Sequence, residues 1–219
     1  MAYKKSDFAQ ENHVSRETLA DFEHWESRLI KWNQRINLVS RSAMAHFWQR
    51  HALDSWQIID VLPDKAADFL DLGSGAGFPG LAIAIALKHR PPATEDGGLS
   101  RHPHVTLVES VGKKTNFLKM LIRECNLPAT AVSKRIEDLP IRPYDVITAR
   151  AFAPMPSLLT YAHPFWSKTT IGLFLKGEGV GEELTQARKY WTFNVENMQS
   201  RSNPGGVLLK ITDLKPKAP

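Results

Sequence analysis

Three glycines at alternate positions, Gly73, Gly75 and Gly77, follow an apolar run that contains the acid Asp71. Pro79 comes just after them and favours the first turn of a helix. Glycine is required where a backbone turns sharply and a ligand lies against it, because a Cβ would otherwise occupy that space. The segment therefore predicts a strand, a cofactor-binding loop and a helix in direct succession.

This loop fits two classes of cofactor site. Its last part, Gly75 to Gly80, has the spacing G-x-G-x-x-G found in dinucleotide-binding proteins. The alternation that begins at Gly73, with Asp71 two residues before it, is more typical of S-adenosylmethionine-dependent methyltransferases, in which the loop holds the methionine and ribose portions of the cofactor. We therefore favour S-adenosyl-L-methionine as the cofactor, and a nicotinamide or flavin enzyme is the alternative.

A further cofactor contact is predicted at the end of the second strand. Glu109 lies there, where a carboxylate can accept hydrogen bonds from both ribose hydroxyls. It comes 36 residues after Gly73, more than the roughly 20 residues usual in dinucleotide sites. An extended surface loop over 90–102, rich in proline and glycine, accounts for the difference. The alternative is a solvated glutamate at a strand end.

Ile136, Glu137 and Asp138 follow the third predicted strand. An acid at this position of a methyltransferase commonly contacts the adenine amino group, while a neighbouring apolar side chain packs against the ring. Without that register, Glu137 and Asp138 would be interpreted as surface charges. The segment therefore predicts the adenine end of the cofactor site.

The fourth predicted strand is followed by Arg150, at the edge where open α/β sheets bind their ligands. Its side chain could hold the cofactor carboxylate or RNA, and a structural salt bridge is the alternative. Methyltransferases that act on exocyclic amines carry Asn/Asp-Pro-Pro-aromatic here, whereas this chain has Ala-Arg-Ala-Phe-Ala over 149–153. Methylation of a pyrimidine ring carbon needs a cysteine nucleophile, and we interpret Cys125 as a packing residue in the middle of a helix. The chain thus has neither device at these positions, and no catalytic acid or base is predicted.

Three more residues are candidates for substrate contact besides Arg150. His51 and Asp54 lie about one helical turn apart and could face the site, although a hydrogen bond on the helix face is an equally good explanation. Lys176 ends the fifth predicted strand and is the second basic candidate for contact with RNA.

The elements that must position these residues alternate strand and helix from residue 65 onward, which indicates a parallel sheet covered on both faces. An N-terminal extension over 1–64 precedes them. In it Ser15 caps a helix with apolar residues every three or four positions, and a second helix is predicted over 44–62. No linker follows the extension, so we expect 1–64 and 65–219 to form one compact unit.

The predicted strands cover 68–73, 104–109, 130–134, 145–149, 170–176, 193–199 and 206–212. A Ser-Asn-Pro-Gly-Gly turn joins the last two, which suggests an antiparallel hairpin at one sheet edge. Between the fifth and sixth strands a helix is predicted over 181–191. The predicted fold is thus α/β, a Rossmann-like, seven-stranded, mostly parallel methyltransferase sheet with an N-terminal helical extension.

Composition sets broad limits on the class of protein. The chain has 219 residues, 42% of them hydrophobic, which suffices for one α/β domain with a small extension. A single cysteine excludes a disulfide framework, and His102 and His104 lack the third ligand that a metal site needs. With no secretory signal and no run of about 18 apolar residues, the protein is expected to be soluble and cytoplasmic. The net charge of +5 fits a nucleic-acid partner and an ordinary basic enzyme equally.

Several short segments in a fixed order resemble one family, the ribosomal RNA small-subunit methyltransferase G family, also called glucose-inhibited division protein B. They extend over nearly the whole chain, from about residue 19 to residue 211, and lie at 32–39, 50–55, 71–80, 135–137, 149–153 and 175–177. The resemblance implies an S-adenosylmethionine-dependent enzyme that methylates N7 of a guanine in 16S ribosomal RNA of the small ribosomal subunit.

The resemblance also implies the residues that contact the cofactor. Carried over by position, they are Gly73, Phe78, Ile136, Glu137 and Arg150. The family usually has leucine in place of Phe78, and both side chains are apolar. The expected partner is 16S ribosomal RNA or the small ribosomal subunit, and the protein is expected to be a monomer.

Two other hypotheses remain open on the sequence alone. One is a methyltransferase that acts on a small molecule or a protein, and the other is an inert cofactor-binding module. Basic residues of the N-terminal helices favour RNA over a small metabolite; they are Arg28, Lys31, Arg35 and Arg41.

Overall fold

Seven strands form one sheet in the computed structural model, which describes residues 3–89 and 102–217. In chain order the strands are β1 (Asp68–Leu72), β2 (His104–Val108), β3 (Ala129–Val132), β4 (Val146–Arg150), β5 (Ile171–Lys176), β6 (Trp191–Gln199) and β7 (Val207–Pro216). Their order in the sheet is β3-β2-β1-β4-β5-β7-β6. Strands β1 to β5 are parallel, and β7 is antiparallel to both β5 and β6. The predicted Rossmann-like, mostly parallel sheet with an antiparallel hairpin is confirmed.

The order of the parallel strands reverses between β1 and β4, which are neighbours in the sheet. In open α/β sheets a crevice for ligands lies beyond the carboxyl ends of the strands at such a reversal. β1 ends at Leu72, directly before Gly73, and β4 ends at Arg150. The topology therefore brings the glycine loop and the fourth-strand motif to the same crevice.

The N-terminal extension begins with α1 (Lys5–Glu11) and α2 (Arg16–Asn33). Ser15 caps α2 as predicted, because its side chain accepts a hydrogen bond from the backbone N–H of Thr18 at 3.1 Å. The apolar face of α2 belongs to the same hydrophobic cluster as residues of β1 and of the helix that follows β1. Its fully buried hydrophobic residues are Phe22, Trp25 and Leu29.

The second helix, predicted as continuous over 44–62, is interrupted, so this prediction was wrong. Helix α3 (Arg41–Met44) is followed by a π-helix (Phe47–Leu53), α4 (Asp54–Trp56) and a 3₁₀ turn (Ile59–Val61). The π-helix buries Phe47 and Trp48 in succession and then three further residues, from His51 onward, in succession. Buried residues therefore extend around more of the π-helix than the single apolar stripe of a surface α-helix. The wider turn of a π-helix allows neighbouring residues to be buried together.

Helices cover both faces of the sheet. Helices α5 (Gly80–His89) and α6 (Gly112–Glu124) share a hydrophobic cluster with the N-terminal extension, whereas α7 (Met155–Ala162) and α8 (Val180–Ala187) pack in a second cluster. The helix predicted to continue to residue 191 ends at Ala187. Trp191 is instead the first residue of β6, where it pairs with Pro216.

Cys125 lies just beyond the end of α6, which stops at Glu124, and not in the middle of the helix as predicted. Its side chain is buried, and burial raises the pKa of the thiol to about 11. No helix in the described part of the chain is long and apolar enough to span a membrane. The loop predicted over 90–102 lies outside the described residues except for His102.

Candidate active site

A cavity of about 430 Å³ opens at the carboxyl ends of β1, β2 and β4. The predicted cofactor residues on its walls are Gly73, Gly75, Phe78, Glu109, Ile136, Glu137 and Arg150. Its volume lies within the range of about 300–1,000 Å³ usual for small-molecule sites. Asp71 and Gly77, which were also predicted to bind the cofactor, do not line it. We call this space the cofactor cavity.

Gly75 and Gly77 have different surroundings, although both have left-handed φ angles, of +55° and +105°. Among the described residues, a Cβ on Gly75 would have only the carbonyl oxygen of Gly73 within 4 Å, at 3.8 Å. A Cβ on Gly77 would lie 2.3 Å from Cδ1 of Leu81 and 3.1 Å from Trp25. Gly75 therefore leaves room for a ligand, whereas Gly77 allows α5 and α2 to pack against the loop.

Phe78 is held between two other rings. It stacks on Trp25 with centroids 4.3 Å apart and on His51 with centroids 4.5 Å apart. The guanidinium carbon of Arg150 lies 4.7 Å from the centroid of the Phe78 ring, in the range of a cation–π contact. Trp25 also donates its indole N–H to the carbonyl oxygen of Ala76 at 3.2 Å. The N-terminal extension thus fixes the glycine loop and Arg150 relative to each other.

Asp71 supports the loop from beneath. Its side chain is fully buried, and Oδ1 accepts a hydrogen bond from the hydroxyl of Thr148 at 2.7 Å. Its Oδ2 has no hydrogen-bond partner among the described residues and lies 2.7 Å from the place of a Cβ on Gly80. Burial raises the pKa of this carboxyl group to about 6. The glycine at position 80 is therefore needed for α5 to begin directly above the carboxylate.

Glu109 joins the second strand to the glycine loop. Its Oε2 accepts the backbone N–H of Gly75 at 3.0 Å, and its Oε1 accepts the backbone N–H of Val111 at 2.8 Å. A carboxylate offers about four lone-pair sites, so each oxygen can accept one more hydrogen bond. The buried Glu109 is thus oriented in the cavity wall and can still accept hydroxyl groups of a ligand.

The segment predicted to lie at the adenine end of the site contributes Ile136 and Glu137 to the cavity wall. Ile136 is buried, whereas the side chain of Glu137 is 48% exposed and lies 3.7 Å from Arg135. Asp138 does not line the cavity. Lys114, Lys134 and Arg135 also contribute to the cavity walls. Sequence reasoning missed these three cations.

Arg150 stands at the centre of the site with three hydrogen bonds from its guanidinium group. It donates to the carbonyl oxygen of Arg50 at 2.9 Å, to Oδ2 of Asp54 at 3.2 Å and to Nδ1 of His51 at 2.9 Å. Burial lowers the pKa of Arg150, while the carboxylate of Asp54 opposes this change. A guanidinium group carries five N–H donors. Two of them therefore have no hydrogen-bond partner among the described residues.

His51 and Asp54, predicted as substrate contacts, both bind Arg150. An arginine can only donate, so Nδ1 of His51 must accept, and the ring proton resides on Nε2. Burial, with the nearby charge of Arg150, lowers the pKa of His51 to about 3, so the ring is neutral at physiological pH. The second oxygen of Asp54 accepts the hydroxyl of Ser202 at 2.6 Å. Asp54 thus ties Arg150 to the turn between β6 and β7.

A second cavity, of about 620 Å³, lies on the other side of Arg150, and we call it the substrate cavity. The two cavities share a wall made of Arg150, Ala151 and Phe152. Ala151 has a φ of +51°, which is unusual for a residue other than glycine, and such strain often accompanies functional sites. The ring of Phe152 approaches within 2.3 Å of the place of a Cβ on Gly73.

Lys176 lines the substrate cavity, but its ammonium group is already engaged. It donates to the carbonyl oxygen of Ala153 at 2.9 Å and pairs with Glu183. Arg50, on the same cavity wall, is exposed and forms no ion pair with the described residues. Within 3–89 and 102–217 no group of three potential metal ligands is assembled.

The comparisons with known proteins agree on a family. A family model described as rRNA small subunit methyltransferase G matches residues 18–205. The relative from Hyphomonas neptunium, named ribosomal RNA small subunit methyltransferase G, is 43% identical over 96% of this chain and 95% of its own length. The relative of the same name from Rhodospirillum rubrum is 44% identical over 94% of this chain and 96% of its own length. The resemblance seen in the sequence segments is confirmed.

Solved structures support the fold. An O-methyltransferase from Bacillus cereus, in complex with SAH, superposes with a TM-score of 0.58 at 13% identity, covering 89% of this chain and 91% of the other. A TehB-like SAM-dependent methyltransferase from Corynebacterium glutamicum has a TM-score of 0.55 at 16% identity, covering 87% of this chain and 98% of the other. At such low identity the likeness shows a shared methyltransferase fold and no more.

Proposed function

The chain belongs to the rRNA small subunit methyltransferase G family, and we propose that it transfers a methyl group from S-adenosyl-L-methionine to N7 of a guanine in 16S ribosomal RNA. The observation that carries this proposal is the pair of adjoining cavities with one shared wall. One cavity follows the glycine loop, and the other has the exposed Arg50 on its wall. Arg150 contributes to both.

The residues of the cofactor cavity fit S-adenosylmethionine. Gly75 leaves space against the backbone, and Glu109 has lone pairs left for ribose hydroxyls. Ile136 offers an apolar surface for the adenine ring, and Glu137 is an exposed acceptor for its amino group. The free N–H groups of Arg150 fit the carboxylate of the methionine portion.

The bound cofactor supplies a methyl group on a positively charged sulfur, and the guanine N7 lone pair forms the new N–C bond as the S–C bond breaks. N7 carries no proton, so no residue has to act as a base. The protein therefore contributes mainly position and charge placement. Arg150 has a fixed orientation because Asp54, His51 and Arg50 all accept its hydrogen bonds. Cys125 lines neither cavity, so no covalent bond to the base is formed in this mechanism.

Ribosomal RNA is the substrate class of the family, and the cations of this chain support contact with its phosphates. Arg50 at the substrate cavity and Lys134 and Arg135 at the cofactor cavity are exposed. Among the N-terminal basic residues, Arg28 pairs with Glu124 at 2.7 Å, whereas Lys31, Arg35 and Arg41 are exposed. Because N7 is shielded in the narrow major groove of A-form RNA, the target guanine must be unpaired or otherwise accessible.

We further propose that the protein acts as a monomer in the cytoplasm, on 16S ribosomal RNA or on the small ribosomal subunit. We also propose that 1–64 and 65–219 behave as one compact unit. Support for the latter comes from the hydrophobic cluster that Trp25 shares with Phe69 and Leu81.

An acceptor assay tests the proposed function against its alternative, a methyltransferase of small molecules or proteins. Radiolabelled S-adenosylmethionine is incubated with the enzyme and either purified small-subunit RNA, a ribosomal protein mixture or a low-molecular-weight cell extract. We expect label in the RNA fraction. Label confined to the protein or small-molecule fraction would overturn the proposal.

A further inference from the structure

We propose that Glu183 recognises the target guanine by accepting hydrogen bonds from its N1–H and N2–H groups. This inference rests on the proposed function and assigns base selection to α8, which contributes Glu183 to the lining of the substrate cavity. It makes Glu183 a substrate-binding residue in direct contact with the base.

The position of Glu183 suits that role. It lies in the first turn of α8 and lines the substrate cavity but not the cofactor cavity. The methyl group has to pass the shared wall at Arg150, Ala151 and Phe152, so guanine N7 must face that wall. N1 and N2 lie on the far side of the base from N7. They therefore point away from the wall, into the part of the site that belongs to the substrate cavity alone.

The groups to be recognised are donors, so an acceptor is required. A carboxylate only accepts, and a single carboxylate oxygen has two lone pairs, which can take N1–H and N2–H together. Among the described residues, the substrate cavity has two carboxylates, Asp54 and Glu183. The Asp54 oxygens are committed, one to Arg150 and the other to Ser202 and Gln57.

Glu183 has one committed oxygen and one available oxygen. Oε2 accepts the backbone N–H of Met155 at 2.8 Å and pairs with Lys176. The described residues provide no donor to Oε1. Lys176 in turn donates to the carbonyl oxygen of Ala153, directly after the shared wall. The carboxylate is thus anchored to the residues that follow the shared wall, while the Glu183 side chain is still 30% exposed.

Such a carboxylate would select guanine over adenine by attraction and by repulsion. Adenine has a lone pair at N1 where guanine has a hydrogen, so the carboxylate would face a second acceptor. Transfer of the methyl group also puts a positive charge on guanine and makes its N1–H a stronger donor. The hydrogen bond to Glu183 would therefore be stronger in the transition state than in the ground state, which raises the rate.

Glu183→Gln tests this assignment, with Glu182→Gln as the matched control. Glu182 lies in the same turn of α8, is exposed and lines neither cavity. Methylation is measured with small-subunit RNA that carries either guanine or inosine at the mapped target position. Inosine keeps N7, O6 and N1–H but lacks the N2 amino group, so it removes one of the two proposed donors.

We expect kcat/KM on guanine to fall by about 10- to 100-fold in Glu183→Gln, the usual size of one good base contact, and to stay at the wild-type value in Glu182→Gln. The wild-type enzyme should prefer guanine to inosine by about 10-fold, and Glu183→Gln should lose this preference. Affinity for S-adenosylmethionine, measured by calorimetry, should be unchanged, because Glu183 does not line the cofactor cavity.

Two results would overturn the assignment while leaving the proposed function intact. One is wild-type kcat/KM in Glu183→Gln on an RNA that the wild-type enzyme methylates at guanine N7. The other is equal turnover of guanine and inosine by the wild-type enzyme, which needs no variant. Absence of guanine methylation by the wild-type enzyme would instead overturn the proposed function itself.

Discussion

Replacement of Asp54 by asparagine should both destabilise the fold and misplace Arg150. In the wild-type protein the Asp54 carboxylate pairs with Arg150 at 3.2 Å, and both side chains are only 17% exposed. Removal of one partner of a buried ion pair leaves an unpaired charge and costs about 3–5 kcal/mol. Arg150 keeps the carbonyl oxygen of Arg50 and Nδ1 of His51 as acceptors. We therefore expect a smaller loss, about 2–3 kcal/mol, in the free energy of unfolding.

Urea unfolding of Asp54→Asn and of Asp60→Asn provides the comparison. Asp60 forms the same kind of pair, with Arg201 at 3.1 Å, but its side chain is 60% exposed. Loss of such a surface pair costs less than about 1 kcal/mol. Single-turnover methylation should fall by about 100-fold in Asp54→Asn, because small displacements of a positioning group are that costly, and should be normal in Asp60→Asn. Equal stability of the two variants together with full activity of Asp54→Asn would refute the reasoning.

Three further outcomes follow from the site. Gly75→Val should abolish S-adenosylmethionine binding in calorimetry, because a branched side chain would occupy the cofactor cavity. The control Gly181→Val, at a glycine whose added Cβ would have nothing within 4 Å, should bind normally. Undiminished binding by folded Gly75→Val would contradict the loop assignment. His51 has its pKa lowered from 6.5 to about 3, so the unfolded chain binds more protons in this window, and stability should rise with pH across it by up to about 1.4 kcal/mol per pH unit from this residue. His51→Asn should flatten that profile in urea unfolding, and an unchanged slope would argue against a buried neutral ring. Cys125→Ala should cost about 1 kcal/mol of stability through lost packing and leave the single-turnover rate of folded enzyme unchanged, so a loss of turnover would point to a covalent mechanism.

The fold and the cofactor loop could be predicted because their determinants are close together in the sequence. The acid, the alternating glycines and Pro79 all lie within ten residues, and the five parallel strands are short and largely apolar. What the sequence left undecided was the purpose of each glycine. Gly77 is needed because Leu81 and Trp25 pack against it, and a contact with a residue of the N-terminal extension cannot be read from the loop itself.

The hydrogen bonds and ion pairs in the walls of the substrate cavity could not be predicted, because the residues that form them are far apart in the chain. His51 and Asp54 were candidates for substrate contact, yet both bind Arg150, about a hundred residues later. The basic side chain of Lys176 was a candidate for RNA contact, yet Glu183 pairs with it. Only the folded sheet brings these segments together.

No feature of the sequence predicted the interruption of the second helix either. A regular helix over 44–62 explains the apolar content equally well, whereas in the π-helix the successive residues Phe47 and Trp48 are both buried, against Trp25 of α2 and Phe8 of α1. Phe152 of the shared wall is different, because it lies in one of the segments that resemble the family, and aromatic side chains stack on unpaired bases.

The most direct test of the central claim is the chemical identity of the methylated atom. Small-subunit RNA is methylated with labelled S-adenosylmethionine and then treated with borohydride and aniline, which cleaves an RNA strand at 7-methylguanosine. We predict cleavage at a single guanine, together with nucleoside mass spectra that contain labelled 7-methylguanosine. Labelled RNA that resists cleavage, with the methyl group on a ring carbon or an exocyclic amine, would contradict the account.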